Sequence, residues 1–88
     1  MKFKALNATY LGDYKISIKF SDAVERKVDF EKFLTEDRHN SVKKYLNIVE
    51  FKKFKIHNEK IIWGENWDII FPTYDIHEGN INCLTFFN

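Results

Sequence analysis

The clearest pattern in this chain is a strict alternation of apolar and polar residues over positions 14–20. Successive side chains of a β-strand point to opposite faces, so a period of two predicts a half-buried antiparallel strand. One face would carry Tyr14, Ile16, Ile18 and Phe20, and the other Lys15, Ser17 and Lys19. A looser alternation over residues 3–9 predicts a preceding strand, with Gly12-Asp13 as the turn between the two.

The chain then turns back and enters a stretch with helical signals. Residues 21–23 predict a turn, and residues 24–28 predict the returning partner strand. Asp29 is predicted to cap a short helical turn that carries Phe30, Phe33 and Leu34. Residues 35–40 are polar and predict a loop.

Two interpretations are open for residues 41–51. A spacing of i, i+3, i+4 and i+7 predicts one amphipathic helix with an apolar stripe of Val42, Tyr45, Leu46 and Val49. Asn47, followed by Glu50 at the third position after it, matches a capping box that would start a new helix. The sequence therefore predicts either one helix or two short ones broken at Asn47.

The second half of the chain predicts another hairpin. The polar residues 57–60 lie between apolar positions 54 and 56 on one side and 61–63 on the other, as in two strands joined by a turn. Residues 64–66 predict a further turn, and residues 67–71 predict a short strand.

The last part of the chain contains one proline and one glycine that divide it. Pro72 is predicted at the first position of a helical turn holding Tyr74, because its fixed φ suits that position. Residues 75–78 are interpreted as a solvated loop before Gly79, and residues 81–87 as a last strand.

Length and composition agree with one small domain over residues 1–88. Nine Phe, four Tyr and two Trp supply large apolar side chains for its core. Trp63 is expected to be the main core anchor, and Trp67 to be partly exposed. Together the patterns predict an α+β fold in which antiparallel β-hairpins pack with one or two short helices.

Charge is distributed unevenly although the net charge is only +1. Residues 1–37 are balanced, with seven basic and seven acidic side chains. Residues 38–60 carry seven basic side chains against two acidic ones, a balance of +5, and residues 61–88 carry four acidic and no basic ones, a balance of −4. Either the middle and the tail attract one another in the fold, or the lysines solvate a surface.

Several classes of protein are excluded by simple counts. One cysteine, Cys83, cannot form a disulfide framework or a cysteine-based zinc site, and it is expected to be buried. The N-terminal residues have no signal-peptide core, and no apolar run approaches bilayer length. We therefore expect a cytoplasmic protein without membrane contact.

The order of short motifs resembles that of a family of small bacterial domains catalogued as domain of unknown function 2442. The matching pieces are residues 13–20, Val28-Asp29-Phe30, Phe33-Leu34, Tyr45-Leu46, residues 47–51, Lys55-Ile56, residues 61–63, Asp68-Ile69 and Tyr74. Asp29 and Trp63 are the most specific markers. The match covers roughly residues 3–74 and leaves residues 75–88 as an extension. The family usually has an aspartate-glycine turn where this chain has Asp22-Ala23.

This resemblance implies a hairpin-rich α+β fold and no known catalysis. Some relatives carry a helix-turn-helix domain after this unit, and we expect none here, because the 14 residues after Tyr74 are too few for one. Other relatives are encoded beside a small protein in an arrangement similar to a toxin–antitoxin pair. The resemblance thus implies an antitoxin-like partner of a small neighbouring protein.

No pattern in the chain indicates catalysis. His39, His57 and His77 lie far apart in predicted loops or turns. No glycine-rich phosphate loop, nucleophile elbow or paired metal-histidine motif is present. The Asp75–Glu78 stretch places three possible ligands close together, but a solvated loop is the favoured interpretation. We predict no catalytic residue, no metal site and no cofactor.

Two kinds of binding surface can be proposed from the residues. For nucleic acid, basic side chains alternate with aromatic ones, which can neutralise phosphates and stack on bases. The candidates are Lys43, Lys44, Lys52, Lys53 and Lys55, interleaved with Tyr45, Phe51 and Phe54. This is the less favoured alternative, because Phe51 and Phe54 are expected in the core and a pI of 7.8 is low for such proteins.

Protein interaction is the favoured function. Trp and Tyr are over-represented at interface hot spots, and the apolar strand 81–87 would leave an open edge for a homodimer or a partner strand. The candidate interaction residues are Trp67, Tyr74, Leu84, Phe86 and Phe87. We predict a non-enzymatic interaction or regulatory module.

Overall fold

The computed structural model describes residues 3–36, 40–79, 81 and 84–87. Within these residues the strands are β1 (Ala5–Gly12), β2 (Lys15–Phe20), β3 (Glu25–Asp29), β4 (Lys55–His57), β5 (Lys60–Trp63), β6 (Ile69–Pro72) and β7 (Thr85–Phe87). The helices are α1 (Glu31–Glu36), α2 (Asn40–Lys43), α3 (Ile48–Phe51) and α4 (Thr73–Glu78), with a 3₁₀ turn, Lys44–Leu46, between α2 and α3.

The strands form two antiparallel sheets. The first has the order β1-β2-β3-β7 and the second has the order β4-β5-β6. The sheets adjoin where β1 lies beside β4. The predicted α+β fold, with antiparallel hairpins and short helices in a single domain, is confirmed.

The alternation in β2 is confirmed by burial. Ile16 and Ile18 are fully buried, and Phe20 is buried beside them. Ser17 is also buried, on the opposite face, where its hydroxyl donates a hydrogen bond to the Glu25 carboxylate. The predicted polar face of β2 is therefore not fully exposed to solvent, because neighbouring residues cover Ser17.

The first strand and its turn differ from the prediction. β1 runs to Gly12 rather than ending at residue 9, because the turn consists of Asp13 and Tyr14, which both have positive φ, 51° and 66°. Two residues of positive φ are typical of the tightest hairpin turns. Two register shifts in β1 fall at Leu6 and Leu11, and both of these side chains are exposed.

The second turn and the start of α1 follow the sequence closely. β3 runs from Glu25 to Asp29, one residue later than predicted. Asp29 Oδ1 accepts a hydrogen bond of 2.9 Å from the Glu31 amide, as expected of a capping residue. Ala23 has a φ of 71°, a conformation that favours glycine.

The middle of the chain is two short helices rather than one. The break is at Asn47, whose side-chain oxygen accepts a hydrogen bond from the Val49 amide at the start of α3. The predicted break at Asn47 is therefore confirmed, although the Asn47 amide donates to the Lys44 carbonyl rather than to the Glu50 side chain of a complete capping box. The single amphipathic stripe is wrong at its last position, Val49. Val49 is 67% exposed, because the break turns it away from the core that Tyr45 and Phe51 enter.

The second hairpin, β4 with β5, is confirmed, and the next strand, β6, begins later than predicted. Trp67 lies in the turn between β5 and β6 with a φ of 56° rather than in a strand. Consequently β6 starts at Ile69 and extends to Pro72. Pro72 precedes α4 rather than being its first residue, and its extended conformation ends β6.

The interpretation of residues 75–78 as a solvated loop is wrong. They belong to α4, in which Ile76 and His77 are buried. Gly79 ends the helix with a φ of 73° and donates its amide hydrogen to carbonyls of the last turn.

The last strand is shorter than predicted. It covers Thr85–Phe87 rather than residues 81–87, and it pairs with β3 at the end of the first sheet. The expected burial of Cys83 falls outside the described residues.

The core lies between the two sheets and the helices and is dominated by aromatic rings. The Phe30 and Trp63 ring centroids are 5.1 Å apart, and the Phe51 and Trp63 centroids are 5.6 Å apart. Trp63 is 1% exposed, and its indole N–H donates a hydrogen bond of 2.8 Å to the Phe51 carbonyl. Trp63 is therefore the core anchor that the sequence predicted.

Candidate functional site

A groove of about 630 Å³ opens between the two sheets, and we call it the inter-sheet groove. It is lined by Phe3, Lys4, Ser21, Asn58, Glu59, Lys60, Pro72, Thr73 and Tyr74. These residues come from the start of the chain, the end of β2, the β4–β5 turn and the junction of β6 with α4. Its size is within the range of small-molecule sites in proteins.

The β4–β5 turn forms one side of the groove in a constrained conformation. Asn58 and Glu59 have φ values of 48° and 65°, which suit asparagine but cost roughly 1–2 kcal/mol at a residue such as glutamate. The Glu59 carbonyl accepts two hydrogen bonds from Thr73, one from its amide at 3.0 Å and one from its hydroxyl at 2.7 Å. Thr73 therefore holds Glu59 in a position that the backbone would not otherwise favour.

Stacked rings form the opposite side. The Phe3 ring lies parallel to the Tyr74 ring, with 5.5 Å between centroids, and it also stacks on the His77 ring at 3.8 Å. The edge of the Phe20 ring meets His77 from another direction. Tyr74 is 51% exposed, so its ring is available at the surface while Phe3 is held from behind.

His77 is held between two carboxylates. Its Nε2 atom is 2.8 Å from Asp22 Oδ2, and its Nδ1 atom is 2.8 Å from Glu78 Oε2. Carboxylates only accept, so both ring nitrogens donate when the imidazole is protonated, whereas a neutral ring donates from one nitrogen. The Arg26 side chain also donates a hydrogen bond of 2.7 Å to the His77 carbonyl. The cluster joins α4 to the β2–β3 turn and to β3 behind the groove.

Acid is expected to weaken the fold through Asp22. Burial raises the pKa of this carboxyl, but the hydrogen bonds from His77 and the Val24 amide outweigh it and hold the pKa below its ordinary value of 3.8. A depressed pKa adds stability that is complete above the ordinary value and is lost as the pH falls through the folded value. Asp22→Asn should therefore lower the Tm at pH 7, and the difference from the wild type should shrink in thermal scans taken below about pH 4.

Asp13→Asn is the matched control for this measurement. Asp13 lies in the β1–β2 turn, is exposed and forms no ion pair with any described residue. Its replacement should leave the Tm near that of the wild type at pH 7. A Tm difference for Asp22→Asn that stayed constant from pH 7 to pH 3 would contradict the role given to its charge.

The second sheet presents a face to solvent on the side opposite the core, and we call it the outer face. The strand register places six residues on this face in two rows, Lys55 with Ile62 and Ile70, and His57 with Lys60 and Pro72. Ile62 is itself buried, so its neighbours on this face cover it. The Trp67 ring lies beside the His57 ring, with 5.3 Å between centroids. Trp67 and Ile70 are each 41% exposed, so large apolar side chains are accessible here.

The outer face and the inter-sheet groove are continuous. Lys60 and Pro72 are paired in register on the outer face, and both also line the groove. We call the two together the interaction surface. Sequence reasoning had picked out Trp67 and Tyr74 but missed Lys60, Ile70 and Pro72, because their shared face is defined only by the pairing of β5 with β6.

The predicted interaction residues do not all lie together. Trp67 and Tyr74 belong to the interaction surface, and the predicted exposure of Trp67 is confirmed. Phe86 and Phe87 are half-buried on β7, at the end of the other sheet. The prediction of Leu84 as an interaction residue is wrong, since Leu84 is buried in the core and packs inside the domain.

The predicted lysines are exposed, and three of them share a smaller groove. Lys44, Lys53 and Lys55 line this cavity of about 290 Å³. Lys44 Nζ lies 3.5 Å from Asp68 Oδ2, and Lys53 Nζ lies 2.7 Å from Glu50 Oε2. The hydrogen bond from Lys53 lowers the pKa of the Glu50 carboxyl.

The remaining predicted lysines and the aromatic residues between them are less available for binding nucleic acid than the sequence predicted. Lys52 Nζ lies over the Tyr10 ring, 5.5 Å from its centroid, and Lys43 is exposed at the end of α2. Phe51 is buried and Phe54 half-buried, so the predicted base-stacking rings serve the core. Of the two interpretations of the uneven charge, the ion pair between Lys44 and Asp68 supports, at one point, attraction between the basic middle and the acidic tail.

Two further properties concern the described part of the chain alone. No three His, Cys, Asp or Glu side chains converge there in a way that could hold a metal ion. None of its helices has the length and apolar character that crossing a bilayer requires. His39, one of the three histidines considered, lies outside the described residues.

Comparison of the chain with protein-family models, curated proteins and solved structures finds no match. The resemblance to the domain of unknown function 2442 therefore stays a prediction.

Proposed function

We propose that this chain is a non-enzymatic protein-interaction module that binds its partner through the interaction surface. The observation that carries the proposal is the exposure of Trp67, Ile70 and Tyr74 along one continuous surface. Exposed apolar side chains gathered in one place mark interaction sites more often than scattered ones do.

The composition of this surface suits a protein partner. Trp and Tyr supply large, rigid contact areas and are enriched among residues whose truncation weakens complexes most. Charged and polar groups, including Lys60 and His57, surround them, as in the polar rim of a typical interface. The resemblance stated above supports a specific setting, in which the chain is the antitoxin-like partner of a small neighbouring protein.

Replacing the two exposed aromatic residues tests this function. Trp67→Ala with Tyr74→Ala should weaken binding of the adjacent gene's product to the full chain by at least about 30-fold, since a hot-spot residue contributes roughly 2 kcal/mol or more. Isothermal calorimetry measures the change in Kd. Val49→Ala is the matched control, because Val49 is 67% exposed on α3 and belongs neither to the lining of the groove nor to the strands of the outer face. Equal affinities for the double variant and the wild type would refute the proposal.

A homodimer through β7 is the other protein partner to consider. β7 pairs with β3 on one side and ends the order of its sheet, and no other described strand pairs with its second edge, which could take part in strand addition. Sedimentation of the full chain separates the two modes. Self-association that survives Trp67→Ala with Tyr74→Ala would favour the β7 edge over the interaction surface.

Nucleic-acid binding through Lys43, Lys44, Lys52, Lys53 and Lys55 is the alternative. The clustering of three of these lysines in one groove favours it, whereas the ion pairs to Asp68 and Glu50 reduce the charge left for phosphates. Salt-sensitive binding of DNA or RNA, lost on Lys52→Ala with Lys53→Ala and Lys55→Ala, would support this alternative.

A further inference from the structure

We infer that the partner contributes an acidic segment with bulky apolar side chains, and that this segment lies in the inter-sheet groove. The inference rests on the proposed function and adds the chemistry of the partner to it. It is carried by the charge, the ring geometry and the rigidity of the groove.

The charge of the interaction surface is positive. Lys4 and Lys60 line the groove, and Lys55 lies on the adjoining outer face, whereas Glu59 is the acidic side chain lining the groove. Within the described chain none of these three lysines forms an ion pair. An acidic segment would place its carboxylates beside these cations, and such complementarity selects partners and speeds their encounter.

The apolar side of the groove indicates that the partner segment carries bulky apolar side chains as well as acidic ones. The stacked Phe3 and Tyr74 rings and the exposed Pro72 form a surface on which a partner's aromatic or aliphatic side chain can pack. Half of the Tyr74 side chain is exposed, so binding would remove apolar area from water. A nucleic acid would gain less from Pro72 and from Ile70 on the same face, since neither offers an aromatic ring for stacking on a base.

Contacts within the domain hold both sides of the groove in place. Phe3 is held by the His77 ring at 3.8 Å, and His77 is held by Asp22 and Glu78. On the other side, Thr73 fixes the Glu59 carbonyl through two hydrogen bonds. A surface that is already ordered has little conformational freedom to lose on binding, which favours affinity.

Glu59 gives the inference a distinctive signature. Glu59 lines the groove and its side chain is exposed. Its charge has the same sign as the proposed ligand, so it should weaken binding and limit it to segments that avoid its position. Removing its charge while keeping its size should therefore increase affinity for an acidic peptide. For a basic peptide the same change should decrease affinity.

Fluorescence anisotropy with the full chain and three labelled peptides tests the inference. Each short peptide carries two phenylalanines, set among glutamates in the first, glutamines in the second and lysines in the third. The glutamate peptide should bind most tightly, and raising NaCl from 50 to 500 mM should weaken it severalfold through screening. Lys4→Gln with Lys60→Gln should weaken it roughly fivefold to tenfold, and Glu59→Gln should tighten it about twofold to threefold, as expected for exposed charge pairs.

Lys32→Gln on α1 is the control for the lysine changes, because Lys32 is exposed and does not line the groove. Tighter binding of the lysine peptide, equal binding of all three, or tighter binding of single-stranded oligothymidylate would overturn the inference. If the adjacent gene's product still binds through Trp67 and Tyr74 in that case, only the inference fails. If that binding is also insensitive to the Trp67 and Tyr74 changes, the proposed function fails as well.

Discussion

Trp63→Ala is expected to lower the free energy of unfolding by about 3–5 kcal/mol, the usual cost of emptying a buried tryptophan site. Trp63 is 1% exposed, contacts the Phe30 and Phe51 rings, and satisfies the Phe51 carbonyl with its N–H. Urea denaturation followed by far-UV circular dichroism measures the change. If the alanine variant is unfolded in buffer, Trp63→Phe provides the measurement, because it keeps a ring but leaves the Phe51 carbonyl without its donor, at about 1–3 kcal/mol.

The second tryptophan of the chain is the natural control. Trp67 lies four residues later, is 41% exposed and packs beside His57 on the outer face. Trp67→Ala should cost less than about 1.5 kcal/mol, because most of what it loses is surface contact. Comparable losses for the two variants would show that Trp63 does not anchor the core as described.

Gly64→Ala is expected to lower the free energy of unfolding by about 2–4 kcal/mol, in part from backbone strain and in part from steric overlap. Gly64 has a φ of 88°, and an added Cβ would lie 2.7 Å from both Asp68 Oδ2 and the Tyr45 hydroxyl oxygen. These two groups share a hydrogen bond of 3.1 Å. Burial, with that hydrogen bond adding to it, raises the pKa of the Tyr45 hydroxyl, which therefore remains a donor.

Gly79→Ala separates the two contributions. Gly79 also has a positive φ, 73°, but a Cβ there would meet no atom of the described residues within 4 Å. Its replacement should cost only the backbone strain, about 1–2 kcal/mol. The difference between the two variants in urea denaturation measures the steric overlap at Gly64. Equal losses of unfolding free energy would mean that Tyr45 and Asp68 move apart to accommodate the Cβ without destabilising the fold.

The Gly64 substitution also bears on function. The turn from Gly64 to Asp68 carries Trp67 onto the outer face, and the Trp67 amide donates a hydrogen bond to the Gly64 carbonyl. A shift of Asp68 would therefore move the neighbouring Trp67 side chain, which belongs to the interaction surface. We expect Gly64→Ala to weaken partner binding, whereas Gly79→Ala should not.

Local patterns predicted the elements whose signals lie within a few neighbouring residues. The alternation in β2, the hairpin of β4 with β5 and the cap at Asp29 all follow from short-range geometry. The broken helix was predicted only as one of two options. Both options agree with the local sequence. The break at Asn47 is favoured by packing, because it lets Tyr45 and Phe51 enter the core while Val49 remains at the surface.

Other features could not be read from neighbouring residues. His77 looked like part of a solvated loop, but Phe3 and Asp22, 74 and 55 positions before it, bury its ring and bind it. Leu84 looked like an exposed strand residue until its burial in the core placed it inside. In both cases the deciding contacts come from distant parts of the chain.

The sequence alone determined that this protein is an α+β domain with an aromatic core, with Trp63 inside and Trp67 at the surface. It determined these features because periodicity and turn chemistry act over a few residues. The tertiary structure alone decided that Lys4, Glu59, Lys60 and Tyr74 line one groove. That groove exists because the two sheets adjoin, and the position of one sheet beside another depends on the packing of the whole core.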